Sequence, residues 1–569
     1  MQIASGPVAA PGVSVVGVSF FAVEAAVTLI AASAVLLAPR FGSRWFAALE
    51  SRAANFARHR QLSVLTVTLS VILLRLAMLP LLPVPQPYVH DEFSYLLGAD
   101  TFASGRITNP TPALWTHFET FHVNMKPTYM TMYFPGTALV MAAGKVVFGH
   151  PWFGVLLASA LMCGAICWML QGWLPPVWAL GGGLLAVLRF SLFSYWTNSY
   201  YGGALAALGG ALVLGAFPRL RRRPSLAQGL ALSAGMLILA NTRPYEGFFL
   251  CAAVCALIAW QYRNRQTARF ARTMLLPAIL FAAGVGLMGY YNLRVFGSPL
   301  TLPYTLNRAT YAKVPVFVWQ KPTATPAYRH EVMRDFYVNE EVREFNRAQG
   351  LAGFLGSSVR KIGIVLGFFL GVTLLPVLFT LRRTLFDRRL RPLVLIGCLT
   401  TLVLSVNAWI FPHYVSPFAA GLWALVLQSL RHLRHAGSPR QPYGLALVRM
   451  TGLLCVLLAG LRLFAGPLGL RVDRHPTLWY GSEPAGLSRA AILRDLQSRP
   501  GSQLAIVRYA PGHASFDEWV YNEANIDAAK VIWARDMDAA ANAELRRYYP
   551  NRVVWLVEPD ANPPRVTPY

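Results

Sequence analysis

The chain has 569 residues, 55% of them hydrophobic and 13% charged, with a mean hydropathy of +0.43. Soluble domains are about a quarter charged, so so long a chain with so little charge reads as a polytopic membrane protein, not a string of soluble domains. The net charge of +26 does not signal nucleic acid, because the basic residues sit in short clusters between apolar stretches and form no continuous basic surface.

A membrane helix needs about 20 mostly apolar residues. In chain order, spans are predicted over 13–38, 61–83, 153–171, 177–195, 202–217, 226–241, 245–262, 274–291, 362–381, 392–411, 415–430 and 443–463. No basic region precedes the first apolar run, so no cleavable signal peptide is expected. Arginine clusters follow span one (Arg40, Arg44, Arg52, Arg58, Arg60), span five (Arg219, Arg221, Arg222, Arg223) and span seven (Arg263, Arg265, Arg269, Arg272). Others follow span nine (Arg382, Arg383, Arg388, Arg389, Arg391) and span eleven (Arg431, Arg434, Arg440). Every cluster lies after an odd-numbered span. With basic loops cytoplasmic, both termini and the long loops 83–151 and 292–361 face outward, as in a multi-pass plasma (inner) membrane protein with its working face periplasmic.

The predicted plan is an extra N-terminal span with its basic loop (1–60), a transmembrane region (61–465) and an extracytoplasmic tail (470–569). In the tail, Leu504–Tyr509, Lys530–Ala534 and Val553–Val557 read as strands, and Ala485–Gln497 and Ala539–Tyr549 as helices. The fold class is therefore mainly α: a polytopic helical membrane protein of about 12 transmembrane helices with a small C-terminal α/β domain. The tail has no Gly-rich phosphate loop. All six cysteines lie in apolar stretches without accompanying His or acid, so they read as packing residues and not as a disulfide or metal framework.

The strongest chemical signal opens the first long loop: Tyr88-Val89-His90-Asp91-Glu92-Phe93-Ser94-Tyr95. Adjacent acids emerging from a membrane helix lose hydration and need a partner or a task; the plainer reading makes Asp91 the cap of a following helix, 92–103. The loop continues through Trp115, His117, Glu119, His122, Lys126-Pro127, Tyr129 and Tyr133-Phe134-Pro135-Gly136. This mixture of rings and polar groups suits a sugar or a lipid headgroup; His117 and His122 lack the tight spacing of a metal motif, and no metal is expected. The stretch Tyr133–Phe148 is amphipathic and suits the membrane interface. Further candidates sit at other outer turns: Arg243 and Glu246 in Asn241–Glu246, and His413 and Tyr414 after Phe411-Pro412. For Arg243 a phosphate-binding role is favoured; for Arg75 and Arg189, a structural one.

Together these parts fit an outward-facing enzyme that works without nucleotide and can take a sugar from a lipid-phosphate carrier in the bilayer. The leaving phosphate needs Arg, Lys or His, and the acceptor hydroxyl needs a base such as Asp91. One base without a protein nucleophile implies inversion at the anomeric carbon. No cofactor is expected beyond the lipid-phosphate-sugar substrate, with a divalent metal left open. The partners are then that donor, an extracytoplasmic glycan, lipid or protein acceptor, and the bilayer. A transporter or flippase is the main alternative, and a polysaccharide polymerase or ligase the second.

The pattern resembles the membrane-embedded GT-C glycosyltransferases, in particular the family-39/83 branch of protein O-mannosyltransferases and lipid A aminoarabinose transferases. The resemblance is carried by His90-Asp91-Glu92 with Tyr95, Gly98 and Gly105, and by topology over roughly 60–430. It implies Asp91 as catalytic base with Glu92 beside it, and His90 and Tyr95 around the substrate. It also implies a Pro-containing segment after the loop's first helix, for which Lys126-Pro127 and Tyr133-Phe134-Pro135-Gly136 compete. Lys126 in the one and Tyr133 in the other are therefore substrate-binding candidates, as are His413 and Tyr414, and Arg243 resembles the basic residue that the family places near the donor phosphate. A polyprenyl-phosphate-sugar donor is what the resemblance implies. The first span is an addition to the family's usual plan.

Overall fold

The computed structural model describes residues 19–263, 267–438, 440–470, 472 and 484–569. The first residues of the first expected span, Arg265, the residues on which the signal-peptide expectation turns and most of 471–483 lie outside the described residues. The expected spans fall on helices apart from the ninth, most of which lies beyond the helix it begins on, and the molecule is a mainly helical, polytopic membrane protein with a small C-terminal α/β domain. Among the described residues, eight helices are long and apolar enough to cross a bilayer. Shorter apolar helices include Pro176–Leu192, Leu226–Ala240 and Arg391–Ser405.

The helices Trp152–Trp173 and Gly203–Arg222 form the centre, with 78% and 89% of their apolar windows buried. Small residues let their neighbours approach: a Cβ on Gly210 would lie 1.8 Å from the Pro417 carbonyl oxygen, and one on Gly235 2.6 Å from that of Gly209. The outer helices Phe20–Leu37 and Phe270–Phe296 are apolar yet almost unburied (17% and 6%), the pattern of surfaces that meet lipid tails rather than protein.

Span nine differs from the sequence reading. The helix starts at Gly350 and ends at Phe369, followed by the short turn Leu375–Thr380. Lys361, which marks the end of the expected loop 292–361, is instead buried in that helix, where its ammonium donates to the Ser405 carbonyl at 2.8 Å and to that of Asn407 at 2.5 Å. The helix stops where Arg189 donates to the carbonyls of Gly367 (2.7 Å) and Phe368 (3.0 Å). A guanidinium there satisfies orphan carbonyls at a helix C-terminus. Gly371 follows with φ +58°, and a Cβ on it would meet the Arg189 guanidinium at 2.6 Å. Glu24, unexplained by sequence, accepts a hydrogen bond from Thr373 at 3.2 Å.

In the tail the strands run in the order Val531–Arg535, Ser502–Val507, Arg552–Glu558 and Arg565–Pro568, the first three parallel and the last antiparallel. The helices Pro484–Ser498 and Ala539–Tyr548 complete the α/β unit. This domain docks on the first long loop. Phe93, Leu97, Phe118 and Val123 of the loop share one apolar cluster with Leu504, Ile506, Tyr521 and Ile532 of the domain. The Arg489 guanidinium lies over the rings of Phe93 (4.6 Å) and Trp533 (4.8 Å), and buried Arg535 pairs with Glu518 and donates to the Glu119 carbonyl, both at 2.6 Å.

Candidate active site at the mouth of the helix bundle

The site begins where the helix Arg60–Ala77 ends. Arg75, fully buried, donates to Leu82 O (2.7 Å), Pro83 O (3.0 Å) and Asn198 Oδ1 (3.0 Å), and its guanidinium lies over the Trp152 ring. It thereby fastens the strand that leaves the helix to the turn 193–202, a structural role as read from sequence. The Tyr200 hydroxyl adds a bond to Pro85 O at 3.0 Å.

Next comes the helix His90–Ala103. Its N-cap, Val89, has no polar side chain, so the third helical residue does the capping. Glu92 Oε2 accepts from the backbone N–H groups of Tyr88 (3.0 Å) and Val89 (3.1 Å), and Oε1 from that of Tyr200 (3.0 Å). This corrects the sequence reading of the cap: Glu92 caps the helix in place of Asp91, with both of its oxygens engaged and 1% exposure.

Burial pushes the Glu92 carboxyl up to about 7 from its ordinary 4.5, against the pull of its three N–H donors. Between those two values the folded state holds a proton that the unfolded state has lost, so the contribution to stability is present below pH 4.5 and is lost as pH rises toward 7. Glu92→Gln is expected to flatten that slope and to lower the unfolding midpoint at every pH, since the amide cannot accept all three bonds. Thermal unfolding at pH 5 and pH 8 measures both effects.

Capping by Glu92 leaves the Asp91 carboxylate outside the cap. Its Oδ1 accepts from the Tyr133 hydroxyl and its Oδ2 from that of Tyr201 at 3.4 Å. His90 Nδ1 lies 3.1 Å from Oδ2, His122 Nδ1 3.6 Å from Oδ1, and the side chain stays 20% exposed. Burial alone would raise this carboxyl; His122, His90 and the Tyr133 hydroxyl outweigh it and hold the group well below the usual carboxylate range. It is an anion that can still be reached.

His122 reaches Asp91 from the hairpin Val123–Asn124/Met130–Thr131. Its backbone sits in the left-handed region at φ 59°, which a non-glycine residue holds only under constraint. Its carbonyl supplies that constraint, accepting from Ser94 Oγ (2.6 Å) and Met132 N (3.0 Å). Tyr133 follows the hairpin, and its ring stacks on Tyr95 at 4.2 Å. Of the two Pro-containing segments, Tyr133-Phe134-Pro135-Gly136 therefore borders the site. Lys126 is exposed, its ammonium over the Trp115 ring at 4.6 Å, and among the described residues no contact joins it to Asp91. The helix Pro135–Phe148 that follows packs through Gly136, whose N–H donates to Asn241 O at 2.9 Å, and exposes Leu139, Val146, Val147 and Phe148.

The opposite wall is basic and aromatic. Arg243, at the start of the helix Pro244–Tyr262, pairs with Glu246 at 2.9 Å, and its guanidinium carbon lies 3.9 Å above the Tyr414 ring. Its Nε is buried without a hydrogen-bond partner. His413 Nδ1 and the Tyr195 hydroxyl are 2.9 Å apart. Tyr95, Tyr304, His413 and Tyr414 each lie within electrostatic reach of both Asp91 and Arg243. Of the residues singled out from sequence, His90, Asp91, Tyr95, Tyr133, Arg243, His413 and Tyr414 are thus brought together, Glu92 lies beneath them and Lys126 lies apart.

Three contributions escaped the sequence reading. Tyr304 and Arg308 come from the helix Pro303–Tyr311 of the second long loop, where Arg308 pairs with Glu341 at 2.5 Å. Phe516 comes from the C-terminal domain and stacks on His90 with centroids 5.2 Å apart. Neither segment carries a local motif. His117 was weighed as a metal ligand, but its Nδ1 meets the Arg535 carbonyl at 3.1 Å and serves domain docking instead.

No family model and no curated protein matches the chain. Among solved structures it is similar to ArnT from Cupriavidus metallidurans in the apo state (15% identity, TM-score 0.47) and bound to undecaprenyl phosphate (14%, 0.46), covering 87% of this chain and 92% of that one in both cases. It is also similar to the Archaeoglobus fulgidus oligosaccharyltransferase (12%, TM-score 0.45), covering 86% of this chain and 67% of that one. The structural neighbours of this chain are thus ArnT and an archaeal oligosaccharyltransferase, at identities and TM-scores that leave the functional reading to the geometry of the site.

Proposed function

We propose that the chain is an integral membrane glycosyltransferase. It moves a sugar from a polyprenyl-phosphate-linked donor to an acceptor hydroxyl on a glycan, lipid or protein at the extracytoplasmic face of the plasma membrane. The observation that carries the reading is a reachable, ionised Asp91 and the Arg243 guanidinium above Tyr414, with Tyr95, Tyr304 and His413 within electrostatic reach of both. In this reading Arg243 holds the donor phosphate and offsets the charge it gains as the glycosyl bond breaks. Asp91 accepts the proton of the attacking hydroxyl. With Asp91 as base and no residue assigned as nucleophile, the sugar inverts in a single displacement. Tyr95, Tyr133 and Tyr414 offer ring faces to the sugar, and His413 with Tyr195 borders the phosphate side.

The test is transfer itself. Purified protein in lipid nanodiscs, given a panel of polyprenyl-phosphate hexoses and pentoses with cell-envelope acceptors, is expected to release one polyprenyl phosphate for each sugar transferred. Movement of intact donor across sealed vesicles without its cleavage would replace the reading with a flippase.

A further inference from the structure

The helix Ser43–Ala57 lies at the end of the bundle away from the site. It joins the outer helix Phe20–Leu37 to the helix Arg60–Ala77. The 18 residues of the latter, about 27 Å of helix, separate it from the strand that leads to Asp91. Spacing at i, i+4, i+7 and i+11 turns one stripe of this connecting helix, Phe46, Glu50, Ala53 and Ala57, toward the protein. Ala57 is fully buried, and the Arg449 guanidinium lies 5.5 Å over the Phe46 ring. Glu50 accepts from Arg449 at 2.8 and 3.1 Å and from Arg434 at 3.1 Å. These bonds fix the rotation of the helix.

With the rotation fixed, the same spacing one residue earlier puts Trp45, Leu49, Arg52 and Phe56 on a second stripe, which faces away from the protein: Trp45 is 60% and Leu49 50% exposed. A third side carries Arg44, Ser51 and Asn55, with Arg58 just past the helix end, all exposed. Rings and a leucine on one side and arginines on the next are the composition of a helix that lies in the membrane interface. The apolar stripe alone would suit any bilayer. The charge selects one kind. Glu50 is the sole acid of the helix, and Arg434 and Arg449 hold it inward. Among the described residues, Arg44, Arg52 and Arg58 form no ion pair, so the outward sides are purely cationic and complement anionic headgroups. Arg52, within the apolar stripe, can lay its stem along the acyl chains and lift its planar fork to a phosphate.

We propose that the helix Ser43–Ala57 is a binding surface for anionic phospholipid, with Trp45, Leu49 and Phe56 at the acyl boundary and Arg44, Arg52 and Arg58 on the headgroup phosphates. The surface belongs to the N-terminal segment that precedes the helix Arg60–Ala77, and it stands whether or not the sugar-transfer reading does.

The full chain, purified in detergent and given equimolar phosphatidylglycerol and phosphatidylcholine, is expected to retain phosphatidylglycerol in preference, as read by native mass spectrometry. Each arginine near an anionic surface is worth about fivefold in binding. Arg44→Gln/Arg52→Gln/Arg58→Gln is therefore expected to weaken phosphatidylglycerol binding on the order of 100-fold, and exposure of all three side chains spares the fold. Equal retention of the two lipids by the wild type, or equal phosphatidylglycerol affinity in the two proteins, would overturn the proposal. A second measurement needs no variant: photoactivatable phosphatidylglycerol crosslinked to the wild type should label the helix Ser43–Ala57, and label confined to other segments would contradict the surface.

Discussion

Asp91→Asn is expected to lower the rate of sugar transfer by about 10²- to 10⁴-fold, the range a positioned general base supplies, with the protein still folded. The fold is spared because helix capping belongs to Glu92, so the exchange removes a charge without uncapping the helix His90–Ala103. The base is a weak one, held low by His122, His90 and Tyr133. It therefore takes its proton late, as the bond from the acceptor oxygen to the sugar forms and that hydroxyl acidifies. The long contact from Tyr201, at 3.4 Å, is the more easily displaced by an incoming hydroxyl. The measurement is the turnover number at saturating donor, together with a melting curve that shows the variant folded. Unchanged turnover would remove Asp91 as base.

Arg243→Ala is expected to raise the donor KM by about 10- to 100-fold, since a charge-assisted bond is worth about 1.5–3 kcal/mol. The structure adds a complication that sequence could not show. Glu246 is 8% exposed on its side chain and has Arg243 as its ion-pair partner, so the single variant also strands a buried carboxylate and loses stability. The double variant Arg243→Ala/Glu246→Gln separates the two effects. It should recover the melting temperature while keeping the weakened donor use; recovery of both would make Arg243 a purely structural partner of Glu246.

The helical frame was legible because a run of apolar residues long enough to cross a bilayer has few other readings. The strands of the tail showed in their short apolar runs; the antiparallel strand Arg565–Pro568 did not, being short, at the sheet edge and closed by a proline. Asp91 stood out because adjacent acids at a helix exit are costly. Lys361 misled, since adjacent cations, Arg360-Lys361, read as loop until two backbone carbonyls are seen to hold the lysine. The partners of Asp91 were the least accessible. Tyr201 and His122 meet it across 110 residues in one case and a hairpin in the other, and Phe516 arrives only because the C-terminal domain packs on Phe93 and Leu97. Contacts of this kind are made by tertiary packing and leave no local pattern. The same limit explains the choice between the two Pro-containing segments, which the hairpin decides by turning Tyr133 inward and leaving Lys126 on the surface.

If Arg243 and Asp91 frame the phosphate of a polyprenyl carrier, a cryo-electron microscopy map of the protein in nanodiscs with added polyprenyl phosphate should show phosphate density against the Arg243 guanidinium, above Tyr414 and open toward Asp91, with the lipid tail running out between helices. A phosphate bound elsewhere, with no density beside Arg243 at saturating lipid, would rule this placement out.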